Sequence, residues 1–112
     1  MASEHLEQIW SPFRHELTRD HVGLWILIRA VKDAEPDATA RDVRGVTMEV
    51  LRYALEQGDA IAGHFDGKTY AFVPWEGSAD DVIARAEHAW DALGREPNIG
   101  EVLALMPPQP DD

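Results

Sequence analysis

Five histidines are the residues in this chain whose chemistry is most adaptable, and they are spread as His5, His15, His21, His64 and His88. None stands four residues from another and none belongs to a His-Glu-x-x-His pattern, so no helix face offers a ready pair of imidazole ligands. His15-Glu16 and Asp20-His21 converge only if the chain folds back between them. The reading is structural or surface histidines, with no metal and no cofactor. Nucleophilic catalysis fares no better. It needs a hydroxyl beside a base in a shaped site, and the three serines are Ser3, Ser11 and Ser78. Ser3 and Ser78 suit helix caps and Ser11 precedes a proline. Gly63, Gly67 and Gly77 are isolated turn glycines, so no phosphate-cradling loop is present. Asp80 and Asp81 are adjacent, and on a helix they point about 100° apart, which prevents a shared-proton pair. The chain is expected not to be an enzyme.

Charge is the strongest bulk property. Twenty-one acidic residues against ten basic ones give a net charge of −11. Such a field repels a phosphate backbone or an anionic membrane surface and steers a basic partner inward. With no cysteine, disulfides and thiolate sites are excluded, as a reducing cytosol would allow. The polar, acidic start Met-Ala-Ser-Glu-His lacks the pattern of a signal peptide. Together these give an expected cytoplasmic location without a membrane span.

The elements that must position any site follow from periodicity and punctuation. A helix from Ser3 to Trp10 carries Leu6, Ile9 and Trp10, and Ser11-Pro12 breaks or restarts it ahead of Phe13 and Leu17. A second helix, from Thr18 or Asp20 to Lys32, is apolar on most sides through Val22, Leu24, Trp25, Ile26, Leu27, Ile28 and Val31, although a buried strand would suit the same residues. Thr39 caps a third helix to Gln57, with Asp42 completing an imperfect capping box, Gly45 as a kink or a join between two short helices, and Gly58 as the stop. Two strands, 60–65 and 68–73, flank Asp66-Gly67, which reads as a two-residue type I′ turn. Ser78 caps a helix over Ala79–Leu93 that ends at Gly94, and Asp80 and Asp81 suit its first turn. Ile99 to Met106 is extended or short-helical. The expected fold is mainly α with a small β-hairpin (α+β): winged-helix-like, with three N-terminal helices, a hairpin wing and a C-terminal helix. Residues 1–106 form one domain and 107–112 a disordered acidic, Pro-rich tail.

A winged helix suggests DNA, and the third helix would read it with Arg41, Arg44 and Arg52. Asp42, Glu49 and Glu56 stand against them, and Lys68 in the wing faces Asp66 and Asp59. A basic stripe is missing, which disfavours DNA. The more polarised region follows the hairpin, where Glu76, Asp80, Asp81, Glu87 and Asp91 have Arg85 as their one cation before Arg95. The plain alternative is a solvated helix face. The functional expectation is a docking surface for a basic protein, with Trp75 or Tyr70 as an aromatic anchor.

The succession Leu51…Leu55-Glu56-Gln57-Gly58…Gly63…Phe65-Asp66-Gly67…Phe72-x-Pro74-Trp75, then Ser78-x-x-Asp81…Trp90…Leu93-Gly94, resembles a group of small bacterial proteins with a hairpin ending in Pro-Trp and a Trp-containing helix. In size and charge the chain also resembles immunity proteins of contact-dependent or polymorphic toxin systems. That resemblance implies an antitoxin-like protein that neutralises a basic, nuclease-type toxin by stoichiometric binding. The alternative is a winged-helix transcription regulator.

Overall fold

The computed structural model describes residues 2–108, with side chains from Glu4 onward. Four helices and a small antiparallel sheet make an α+β fold, in the order α1 (Ala2–Glu16), β1 (Val22–Gly23), α2 (Leu24–Ala34), α3 (Ala40–Glu56), β2 (Ile61–Phe65), β3 (Phe72–Pro74), α4 (Ala79–Leu93) and β4 (Ala104–Met106). No helix among the described residues is long and apolar enough to cross a membrane.

Helix α1 runs through Pro12 where a break was expected. A proline inside a helix costs about 3 kcal/mol through the lost hydrogen bond and ring clash. Pro12 and its neighbours Gln8 and Ser11 lie on the exposed side, where water can reach the freed carbonyl. Ile9, Trp10, Phe13 and Leu17 are buried on the other side, and burying each such side chain is worth about 1.5–3 kcal/mol. Packing wins. Ser3 lies inside α1 and not at its cap, and its side chain is outside the described residues.

The second helix starts later than its apolar run. Val22 and Gly23 form a strand opposite Leu105 and Ala104, and Gly23 becomes the N-cap of α2 in place of Asp20. Helix α3 follows the sequence reading closely. Thr39 accepts a hydrogen bond from the Asp42 N–H at 3.1 Å, the helix passes Gly45 without interruption, and Gly58 leaves it at φ +74°. It packs against α1, α2 and α4, which is why Val50, Leu51 and Ala54 are fully buried. Helix α4 begins with a reciprocal capping box between Ser78 and Asp81 and ends at Gly94 in the left-handed conformation.

The hairpin departs from expectation. Phe65 pairs with Phe72, so six residues and not two connect β2 to β3. A type I′ turn needs positive φ at both central residues, whereas here the positive φ belongs to Tyr70, at 60°, and not to Asp66 or Gly67. The Asp66 carboxylate instead accepts the Lys68 and Thr69 N–H groups, a side-chain turn that competes with the tight one. Nor is the hairpin a free wing. The segment around 104–106 is the strand β4, which lies between β1 and β2 in the sheet order β1-β4-β2-β3. Of the expected tail, residues 109–112 lie outside the described residues.

Candidate functional site

The acidic region singled out in the sequence lies on α4, facing α3, and most of it is already occupied. Helix spacing explains this: Arg44 and Arg52 on α3 stand eight residues apart, and Asp80, Glu87 and Asp91 on α4 stand seven and four apart, so each set shares a face. The Arg44 guanidinium donates to Asp91 at 2.7 Å and to Glu87 at 3.2 Å, and it lies 5.2 Å from the centre of the Trp90 ring. Arg52 is hydrogen-bonded to Asp80. The hydrogen bond from Arg44 holds the Asp91 carboxyl below the usual carboxylate range, and Asp91 in turn raises Arg44. The two arginines close a charged seam between α3 and α4. Arg85, the one cation expected near the acidic cluster, lies 4.2 Å over the Trp75 ring.

The other expected residues scatter. Asp81 is committed to the cap of α4, where its carboxylate accepts the Ser78 N–H at 3.0 Å. Glu76 is exposed and has no hydrogen-bond or ion-pair partner among the described residues. Trp75 is half-buried against the core, and its indole N–H donates to Nδ1 of His64 at 2.9 Å. An indole N–H only donates, so the His64 Nδ1 is the acceptor of this bond. Tyr70 is 79% exposed in the hairpin loop. Aromatic anchor and carboxylates are both present, but Asp80, Glu87 and Asp91 are bound to α3 and Asp81 to its own cap, which leaves Glu76.

Ion pairing elsewhere removes more of the positive charge. Arg14 bridges Glu7 and Asp59, Lys32 pairs with Glu96, and Arg95 grips Glu101 with both terminal nitrogens at 2.6 and 2.7 Å. The Arg14 hydrogen bond, aided by the Tyr53 hydroxyl, lowers the Glu7 carboxyl to about 2. Arg95 and the Asn98 N–H lower Glu101 to about 2. Five of the ten basic residues are therefore engaged with carboxylates of this chain. Carboxylates without such partners among the described residues line the cleft where the α2–α3 turn meets α3: Asp37, Asp42 and Glu49 beside the single cation Arg41. Asp42, Glu49 and Glu56 recur every seven residues along one exposed stripe of α3. The sequence reading met these three as the counterweight to a DNA-reading helix, so their spacing was visible but was not read as a surface.

Two further features have no counterpart in the sequence reading. Val22, Ala62 and Leu105 of the sheet belong to the core shared with the helices, and the neighbouring pair Gly23 and Ala104 borders a cleft of about 210 Å³ lined also by Trp25, Phe65, His21 and Ile99. Val102, which also lines it, has φ +68°, a costly conformation for a β-branched residue. Among the described residues no three His, Asp or Glu side chains gather closely enough to hold a metal ion. Comparison with protein-family models, with curated proteins and with solved structures finds no match.

Proposed function

We propose that this chain is an acidic protein-binding module, an immunity- or antitoxin-like protein of the cytosol that neutralises a basic, nuclease-type toxin domain by stoichiometric binding. The observation that carries the reading is the distribution of charge: half of the basic residues are engaged with carboxylates of this chain, while Asp37, Asp42, Glu49 and Glu56 remain on one exposed surface. An uncompensated acidic field raises the encounter rate with a cationic partner and is screened by salt. In this reading the acidic surface of α3 is the docking face, and the α4 carboxylates Asp80, Glu87 and Asp91 serve chiefly to hold the helix pair together.

A winged-helix regulator draws support from one feature, the order α1-β1-α2-α3-β2-β3, in which α3 takes the place of a recognition helix. Against it stand Arg44 and Arg52, which are tied to α4 and leave Arg41 alone on that helix to meet phosphate.

The test is capture of binding proteins at two salt concentrations, followed by titration of the captured protein's nuclease activity with this chain. The expected result is a basic protein, released at high salt, whose activity vanishes at a one-to-one ratio. Retention of nucleic acid, or a captured protein whose activity is untouched, sinks the immunity reading. A mobility shift at low salt would support the regulator.

A further inference from the structure

The four tryptophans divide three to one. Trp10 is fully buried and donates to Asp59 at 2.9 Å. Trp75 donates to His64 and lies under Arg85, and Trp90 is buried beneath Arg44. Trp25 has none of these occupations. It is half-buried, stands outside the core cluster, and its indole N–H meets no acceptor among the described residues. Its Cδ1–Nε1 edge lies along the sheet backbone, since a Cβ built on Gly23 would fall 2.9 and 3.0 Å from those two atoms. The donor edge thus lies against Gly23, and both residues line the cleft together with Ala104 and Phe65.

We propose that this cleft takes one apolar anchor side chain, aromatic or branched, from the basic polypeptide partner, with a main-chain carbonyl beside that anchor accepting the Trp25 N–H. The inference rests on the protein-binding reading above and adds to it where and how the partner is anchored. Size selects the anchor. A cavity of about 150 Å³ holds a benzene ring, whereas small-molecule and cofactor sites run from about 300 to 1,000 Å³. The 210 Å³ here matches one side chain and falls short of that range.

The rim selects a polypeptide. Ile99 is 74% exposed at the cleft edge, and the loop that presents it is fixed by the grip of Arg95 and the Asn98 N–H on Glu101. A ligand of pocket size would cover only the part of Ile99 that lines the cleft, while a protein surface covers the rest and excludes water around the anchor. The net charge of −11 selects the sign of that surface. Phe65 is held edge-on to His21 at 4.8 Å, so these two lining residues are already packed on each other.

The experiment follows the four indole N–H resonances of the ¹⁵N-labelled full chain by NMR. Three probes are titrated at low and high salt: the pentapeptide Ac-Arg-Arg-Phe-Arg-Arg-NH2, its counterpart with Ala in place of Phe, and uncharged N-acetyl-phenylalaninamide. The expected result is a saturable shift of the Trp25 resonance by the Phe peptide, about tenfold weaker with the Ala peptide and weakened by salt. Ile99→Ser and Trp25→Phe should each reduce the affinity, the second by removing the donor while keeping an apolar ring, with binding to that variant read from the backbone amides of Gly23 and Ala104 beside the cleft. If both peptides move only the α3 amides near Asp42 and Glu49, the anchor site is wrong and the acidic reading stands. If N-acetyl-phenylalaninamide binds as tightly as the Phe peptide at both salts, the cleft is a small-molecule site and the polypeptide occupant is wrong. No shift of Trp25 with any probe at millimolar concentration overturns the proposal outright.

Discussion

Val22, Leu105 and Ala62 stand in register across β1, β4 and β2, and each is at most 3% exposed beneath the helices. One residue along those strands, Gly23, Ala104 and Gly63 form the parallel row on the opposite face. That row is also shielded, but by rings from its own neighbourhood: Trp25 lies on Gly23, and Phe72 lies on Gly63. The same three strands thus present one row inside the core cluster shared with the helices and one row on which the Trp25 and Phe72 rings lie. Alternation of side chains across a pleated strand makes the two rows independent, so the inner row can serve the core while the outer row, where Gly23 and Gly63 leave no room for a Cβ, seats rings against the sheet. The difference locates binding capacity on the row that those rings border.

Substitutions on the two faces should separate these roles, and the largest effect belongs to the inner face. Leu105→Ala removes a fully buried side chain from the central strand and should cost about 2–5 kcal/mol, measured by urea unfolding. A loss below about 1 kcal/mol would mean that the inner row is not the core described here. Gly63→Ala probes the outer row. Its Cβ would fall 2.3 Å from the Val73 carbonyl oxygen and 2.6 Å from the Phe72 ring. A ring can move but the backbone of β3 cannot easily do so, and a loss of about 1–3 kcal/mol is expected from such overpacking.

How much of this contrast was legible in the sequence depended on how far apart its causes lie. Thr39, Ser78 and Gly94 act within three residues of themselves, and their helix ends were read from those residues alone. Val22 pairs with Leu105 across most of the chain, and no local pattern announces a two-residue strand. Its apolar neighbours therefore read as an early start to α2, and Trp25 read as one more core residue. Asp66-Gly67 misled in the opposite way. The dipeptide favours a tight turn, but the pairing of Phe65 with Phe72 and the carboxylate turn at Asp66 overrode it. The seam of Arg44 and Arg52 with α4 was open to inspection through spacing, yet nothing in one sequence says which helix a given face meets.

Acid should expose a second aspect of the contrast, because each side of the molecule has one strongly held carboxylate. Glu7, beside Arg14 and Tyr53, ties α1 to α3, and Glu101 fixes the loop at the outer cleft. Both titrate near 2 in the folded chain, below the ordinary value of 4.5. A folded-state carboxyl held low binds fewer protons than the unfolded one, so its contribution is present above pH 4.5 and disappears as pH falls toward 2. The melting temperature should drop through that window, and Glu7→Gln should show a shallower drop. A variant that follows the parent curve throughout would remove Glu7 from the account. A smaller and purely local loss is expected for Ser78→Ala, about 1 kcal/mol, because one half of the α4 capping box disappears.

The smallest stability effect should come from Ile99→Ser, and its smallness is what gives it value. Ile99 is 74% exposed, so most of its side chain is already in water and replacement removes little packing. A surface change of this kind stays within about 0.5 kcal/mol in either direction. If the outer face serves the fold, removing Ile99 should instead destabilise the Asn98–Leu103 loop and broaden the unfolding transition. If that face serves a partner, the stability curve should superimpose on the parent while the response of Trp25 to the Phe-containing peptide weakens. Measuring both on one variant tells a residue kept for folding from one kept for contact.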